Sequence, residues 1–311
     1  MELLYTRRYK VNRMISFTAS FLLAVATAGV VSNPPLGVPL AYNMRAFAGI
    51  AVFLFADLFF TRKYRRRKKI LHSNYPSHWV TILTEHVYYF RNLDKEDQEY
   101  FLRKIQIFLE EVMITGVKME IDDVTRLLVA SAAIIPVFRI PDWDYPFLTD
   151  VFVCQDNLSD DIELLKCKDD VMGLVIYNKS SVYLSREQLI KNFRKTDGNN
   201  LGLHEFIHKI DEVSGDIDGI LPPPFLSKKE RNEWLRIVDN EMNNLKNKKS
   251  DLKEYALTSR AEFIAVAAEY FFEKPAEMKI RHPSLYLMMQ KMFRQDLASA
   301  VSDEAKKIIS R

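Results

Sequence analysis

The sequence predicts an α+β fold, mostly helical with one small β-sheet, preceded by an N-terminal transmembrane hairpin. Three observations lead there. Apolar residues recur at helical spacing through much of residues 70–311, with capping signals before several runs. Only Phe147 to Cys154, Gly173 to Tyr177 and Ser181 to Ser185 have the short, β-branched and aromatic character of strands. Two apolar runs occupy the first 60 residues, and a basic block follows them. The expected division is a membrane anchor over residues 1–69 and one folded domain over residues 70–311.

The anchor comes first in the chain. Met14 to Val31 is 18 residues without a charge. At about 1.5 Å per residue that length approaches the thickness of a bilayer core. Ser32 to Pro39 (SNPPLGVP) is a turn-rich break. Ala46 to Phe60 is a second apolar run of 15 residues, interrupted only by Asp57. Thr61 to Lys69 (TRKYRRRKK) then supplies seven basic residues, and Arg7, Arg8, Lys10 and Arg13 precede the first run. Basic flanks with a nearly uncharged connection place both ends in the cytoplasm by the positive-inside rule. The expectation is an inner-membrane hairpin with the folded domain facing the cytoplasm. Two other readings stand beside it. Ala26-Thr27-Ala28 resembles a signal-peptidase site, and Ala46 to Phe60 could lie in the interface, held by the basic block.

Composition narrows the function of the rest. The 311 residues are 48% hydrophobic and 27% charged, with a net charge of +3. That is ordinary for a globular chain. No broad basic stripe with interleaved aromatics is present, so direct nucleic-acid binding is not expected. Cys154 and Cys167 lack CxxC spacing and a nearby His, and read as reduced thiols.

The folded domain is read in chain order. Residues 70–92 are aromatic and irregular, a connection. Phe101, Ile105, Phe108 and Leu109 mark a helix from Asp94 to about Met113. Asp122 or Asp123 caps a second helix through Ala133. Phe147 to Cys154 is a strand. Gly173 to Tyr177 and Ser181 to Ser185 form a strand pair around Asn178-Lys179. Ser185 to Gln188 is a capping box for a short helix. A helix from about Asn200 to Glu212 ends in a loop containing Gly215, Gly219 and Pro222 to Pro224. Asp216 and Asp218 in that loop lack the spacing of a calcium loop and read as turn residues. Ser227 to Glu230 opens a charged helix to about Lys246. An alanine-rich helix stops before Pro275, and two helical stretches follow.

The helix beginning at Asn200 carries the string His204-Glu205-Phe206-Ile207-His208. Residues four apart share a helix face, so His204 and His208 can hold one Zn²⁺ together. Glu205 sits one position round from that shared direction, placed to act as general base on a metal-bound water. Asp211 lies one turn past His208 and could hold that ring's second nitrogen. A catalytic zinc usually has three protein ligands and one open position. The metzincin pattern would need Gly and His where Asp211 and Ser214 stand, so the third ligand is not supplied that way. A Glu from a second helix remains. Glu262, Glu269 and Glu273 lie on roughly one face of the alanine-rich helix. Glu262 has a competing role, because Ser259 to Glu262 also reads as a capping box.

The flanking residues carry a resemblance. NNLGLHEFIHKIDEVSGDIDG and EYALTSRAEFIAVAAEYFFEKP together resemble the Mlc titration factor A family, from about Leu93 to Phe293. The resemblance implies a zincin-like metallopeptidase domain, with Glu262 as third zinc ligand and Tyr255 as a functional tyrosine able to donate to an oxyanion. It further implies hydrolysis of a peptide or protein substrate, aminopeptidase-like activity, and a regulatory role through a transcriptional regulator. The N-terminal apolar region is not part of that pattern. A zinc-containing module that captures a regulator, with hydrolysis incidental, is the alternative.

Overall fold

The computed structural model describes residues 7–32, 42–141, 143, 145–155 and 180–299. The chain forms two compact units, Met1–Asn74 and Tyr75–Arg311.

In the first unit, α1 (Arg7–Ser32) and α2 (Tyr42–Phe60) pack on each other. Phe17 and Phe53 meet edge to face at 5.4 Å, and the small residues Ser20 and Ala56 are buried. Phe21, Leu22, Phe47, Phe55 and Phe59 remain exposed. The basic block forms α3 (Arg62–His72), and its Arg65 lies 3.6 Å from Asp57, the one acid in the second apolar run. Among the described residues, no helix is long and apolar enough to cross a membrane. The two apolar runs do become helices, but the transmembrane hairpin expected of them is not found. Parts of both runs, residues 27–31, 46 and 48–49, have side chains outside the described set.

The second unit begins with a departure from expectation. Residues 78–91 are helical, as α4 (His78–His86) and α5 (Tyr88–Arg91). Leu83, Val87 and Phe90 are buried at four- and three-residue spacing. That is a helical period which the neighbouring exposed and half-buried aromatics obscure in the sequence. Asp94 caps α6 (Lys95–Glu111), its carboxylate accepting from Asp97 N at 2.8 Å. Helix α6 stops before Met113, because Met113–Gly116 is drawn into a parallel strand, β1. Asp122 caps α7 (Asp123–Val137), which outruns the expected end at Ala133 and contains Pro136. Side chains satisfy the carbonyls of its last turns. Tyr145 Oη donates to Ala133 O, Gln295 Nε2 to Ile135 O and Lys104 Nζ to Val137 O.

Helix α7 is buried almost throughout its length and forms the floor of the core. The sheet is completed by β2 (Asp150–Cys154) and β3 (Ser181–Ser185), with strand order β1-β2-β3, all parallel, and β3 packs on the helices that follow it. The expected strand Gly173 to Tyr177, its turn at Asn178-Lys179 and Cys167 lie outside the described residues. The Cys154 side chain is buried, its Sγ donating to Leu184 O. Ser185 caps α8 (Arg186–Phe193), accepting from Gln188 N.

Helix α9 (Leu201–Asp211) carries the His-Glu-x-x-His string and is capped by Asn200, which accepts from Leu203 N. Gly202 lets it approach α7 closely, since a Cβ there would come within 2.8 Å of the Ala132 Cβ. After a 3₁₀ turn (Glu212–Ser214), the loop to α10 (Arg231–Lys246) crosses Gly219. Helix α10 starts just after the expected capping box, where the Glu230 carboxylate accepts from Ser227 N. A second 3₁₀ turn (Glu254–Leu257) leads to α11 (Arg260–Glu273). Helix α11 buries every residue from Ala261 to Phe272 except Glu262, which is half-buried. A helix apolar nearly all round must be covered on all sides. Helices α12 (Pro275–Arg281) and α13 (Pro283–Phe293) each begin with Pro at the first position, where its missing N–H costs nothing.

Gly219 joins the two helices that matter most. Its φ is +78°, and a Cβ would lie 2.4 Å from Arg260 O at the start of α11. Its N–H donates to Asp211 Oδ2 at the end of α9, and its carbonyl accepts from the buried Trp234 indole at 2.7 Å. Gly219→Ala would combine a left-handed conformation with a backbone clash. It should lower unfolding stability by about 2–3 kcal/mol, measured by denaturant titration. A loss under about 0.5 kcal/mol would show that the loop relaxes freely.

Candidate metal centre

His204 and His208 project from one face of α9 into the gap facing the first turn of α11. Their Nε2 atoms are 3.1 Å apart. Glu262 meets them from α11, with Oε2 3.0 Å from His204 Nε2 and Oε1 3.5 Å from His208 Nε2. Among the described residues, these three groups could hold a metal ion, their ligand atoms all within 4.8 Å of one another. A tetrahedral ion with bonds near 2.0–2.1 Å needs ligand atoms about 3.3–3.4 Å apart. The observed separations bracket that value, so the donor set fits a small four-coordinate ion.

The protonation pattern agrees. Glu269 Oε1 lies 2.8 Å from His204 Nδ1 and makes that nitrogen the N–H of the ring. Nε2 is then an electron-pair donor, aimed at a carboxylate and a second imidazole. Lone pairs facing one another are stabilised by a cation between them, a metal ion or, in its place, a proton on Nε2. Glu262 Oε2 and His208 Nδ1 are buried without a hydrogen-bond partner among the described residues. Burial pulls the His204 pKa down, but its hydrogen bond to Glu269 and that carboxylate's charge outweigh it and leave the value raised. Burial and the charge of His204 lower the pKa of His208.

Three carboxylates share the face of α11 that lies along α9, and tertiary structure gives each a separate task. Ser259 Oγ caps α11 by accepting from Glu262 N, while the Glu262 carboxylate turns to the histidines. Glu269 is 3% exposed; besides His204 it accepts from Asn200 N and Lys253 Nζ, each at 2.7 Å. Glu273 accepts from Gly198 N, Asn199 N and Asn200 Nδ2. Burial raises its pKa to about 7 in spite of those donors. Glu269 and Glu273, rivals of Glu262 in the sequence, therefore bind the turn that opens α9. Glu269 is the carboxylate that orients the His204 ring. Its seven-residue spacing from Glu262 put it on the right face, but no sequence signal gave it that role.

Asp211 differs from expectation. One turn past His208 it could hold that ring's second nitrogen or face solvent, and it does neither. Instead its Oδ2 accepts from Gly219 N at 2.8 Å, and it is fully buried. Desolvation raises its pKa to about 6. The 3₁₀ turn and the positive-φ Gly219 bring the loop amide back over the helix end, and the amide captures the carboxylate.

Glu205 is half-buried beside the ligands. Desolvation raises its pKa, with Glu262 adding to the rise and His204 and Lys209 opposing it. A carboxylate held above its ordinary range is a better proton acceptor. Tyr255 stands at the rim on the second 3₁₀ turn, 55% exposed, its ring 6.1 Å from that of His204. Burial, the charges of Glu262 and Glu205, and a hydrogen bond to Glu262 raise its pKa, so the hydroxyl stays a donor. The arrangement can hold a metal, take a proton at Glu205 and offer a hydrogen bond from Tyr255.

Comparison with known proteins agrees with this geometry. A family model described as glucose-regulated metallo-peptidase M90 matches residues 61–294. An uncharacterized protein of Synechocystis sp. is 26% identical over 247 residues, covering 73% of this chain and 87% of its own length. Mlc titration factor A of Salmonella agona is 26% identical over 220 residues, covering 66% and 82%. The protein of the same name from Salmonella arizonae is 26% identical over 220 residues, covering 66% and 86%.

The ligand assignment is tested by metal content after dialysis. Glu262→Gln should lose most of its bound metal, and Glu273→Gln should retain it. Full metal in Glu262→Gln would remove Glu262 from the ligand set.

Proposed function

The chain belongs to the glucose-regulated metallo-peptidase M90 family, and from that premise we propose that it is a zinc-dependent peptidase hydrolysing peptide bonds in a peptide or protein substrate. The observation that carries the reading is the convergence of His204, His208 and Glu262 with Glu205 beside them. Two imidazoles and one carboxylate are a common protein set for catalytic zinc, leaving one position open. Held by His204, His208 and Glu262, a zinc ion would supply Lewis acidity for a water and for the scissile carbonyl.

The chain's own residues do the rest. Glu269 keeps the proton of His204 on Nδ1, so Nε2 stays free to ligate. Glu205 takes the proton from the attacking water and returns it to the leaving amine. Tyr255, exposed at the rim, donates its hydroxyl hydrogen to the oxygen that gains charge. Aminopeptidase-type cleavage and a regulatory role belong to this proposal through the family.

The relatives named Mlc titration factor A favour a second reading, a zinc-containing module that captures a transcriptional regulator. Glu205 argues for the enzyme, because a structural zinc needs no general base and usually has a closed ligand shell.

We also propose that the first unit attaches the protein to the inner membrane, with the second unit in the cytoplasm. The exposed aromatic and leucine side chains of α1 and α2 support it, as does the run of arginines and lysines in α3.

Glu205→Gln should keep bound zinc and the unfolding transition while peptide hydrolysis falls roughly 10²–10⁴-fold. Tyr255→Phe should also keep zinc, with a smaller loss. Hydrolysis in Glu205→Gln within about threefold of the parent would move the capture module ahead of the enzyme.

A reporter that works only in the cytoplasm, fused after Arg311, should be active, and the protein should sediment with membranes. Recovery of the full chain in the high-speed supernatant, without detergent, would remove the anchor.

A further inference from the structure

Lys253 has no part in the chemistry described so far, yet it touches both sides of the centre. Its Nζ donates to Glu269 Oε2 at 2.7 Å and to Asn199 Oδ1 at 2.9 Å. Glu269 Oε1 is the acceptor of His204 Nδ1. We propose that Lys253 is a positioning residue of the metal centre, tying the segment that carries Tyr255 to the carboxylate that orients His204. This rests on the metallopeptidase reading above.

The segment explains why one lysine can do both. Residues 251, 253 and 255 each reach α11 or its C-terminal neighbour. Asp251 accepts from Tyr270 Oη at 2.8 Å and lies 2.7 Å from His282 Nε2. Lys253 meets Glu269, and the 3₁₀ turn that carries Tyr255 packs on α11, where Tyr255 feels the charge of Glu262. The segment thus runs along α11 from its last turns to its first. Its Asp251 end is firmly held. The same His282 binds Glu241 of α10 through Nδ1 at 2.8 Å, and Arg281 lies 3.1 Å from Asp251. Its Tyr255 end is open to solvent. Lys253 is the link between them.

Electrostatics points the same way. Glu269 is 3% exposed, and a buried carboxylate needs a paired positive charge and donors for its lone pairs. Asn200 N, His204 Nδ1 and Lys253 Nζ are those donors, and Lys253 brings the full charge. Without it, Glu269 would be free to rotate away from an uncompensated position, and the His204 ring would lose its fixed orientation. The lysine side chain is 37% exposed, so replacing it leaves the core packing in place.

The test is zinc affinity of the full-length protein, measured by competition with a chromophoric chelator, alongside the unfolding transition of each variant without metal. Lys253→Met should bind zinc about 10-fold or more weakly, the size typical of a lost partner behind a ligand. Lys253→Arg, which keeps a charged donor, should recover most of that. Glu269→Gln should weaken zinc at least as much, and the double variant Lys253→Met/Glu269→Gln should be little worse than Glu269→Gln alone, because both act through one carboxylate. Zinc affinity within about twofold of the parent in Lys253→Met overturns the proposal, as do fully additive losses in the double variant. Should Lys253→Met lose its unfolding transition, the Lys253→Arg and Glu269→Gln measurements decide. Arginine failing to restore affinity in a folded variant, or glutamine at 269 leaving it unchanged, overturns the proposal. A parent that binds no zinc overturns the peptidase reading itself, which is a separate outcome.

Discussion

The centre depends on one helix face meeting the start of another helix. Glu269 and Glu273 of α11 accept the backbone N–H groups of residues 198–200, just before α9 begins. Those amides lie where the positive end of the α9 dipole gathers, so carboxylates there are favoured by charge as well as by hydrogen bonding. The contact fixes how α9 lies against α11. With the helices in that register, Glu262 arrives opposite His204 and His208. A shift of one residue along either helix would rotate a ligand out of the site.

A second clasp holds the other end. Asp211 closes α9 by accepting from Gly219 N, and Gly219 sits against the backbone of Arg260 at the start of α11. Trp234 fixes the Gly219 carbonyl from α10. The loop has little room to move, because its pivotal residue has no side chain and both of its polar backbone groups are bonded. The ligand helices are thus held at two places, by acidic side chains on α11 and by a loop glycine. Asp211 is buried and Glu273 half-buried, and desolvation raises the pKa of both. Both clasps therefore carry a desolvation cost, offset by the donors they gather.

The site itself divides into buried and exposed parts. His204, Glu269 and Asp211 are buried, His204 bonded to Glu269 and Asp211 to the Gly219 amide of the loop. Glu205 is half-buried, and Tyr255 stands exposed on a 3₁₀ turn. Buried histidines and a rim tyrosine suit the proposed hydrolysis, in which the metal position would stay constant while a hydrogen-bond donor meets the developing charge. The segment from Asp251 to Tyr255 grades from tightly bound to exposed along the same line.

Much of the local structure was legible in the sequence. Asp94, Asp122, Ser185, Asn200 and Ser259 each accept from a backbone N–H three residues on, as their residue types promise. The four-residue spacing of His204 and His208 determined that they share a face, because helical periodicity is a property of a few consecutive residues. The sequence also narrowed the third ligand to one face of one helix. It left Glu262, Glu269 and Glu273 as rivals, and only the crossing point of α9 on α11 separated a ligand from an orienting carboxylate and an anchor. The same limit applies to Asp211, whose partner is an amide eight residues away, brought back by a positive-φ glycine. It applies to Met113–Gly116, which became a strand because β2 lay beside it to pair with. Spacing within one helix is set by the helix alone. Which of several equivalent side chains meets a partner depends on packing between elements far apart in the chain, and that is decided only when the core closes.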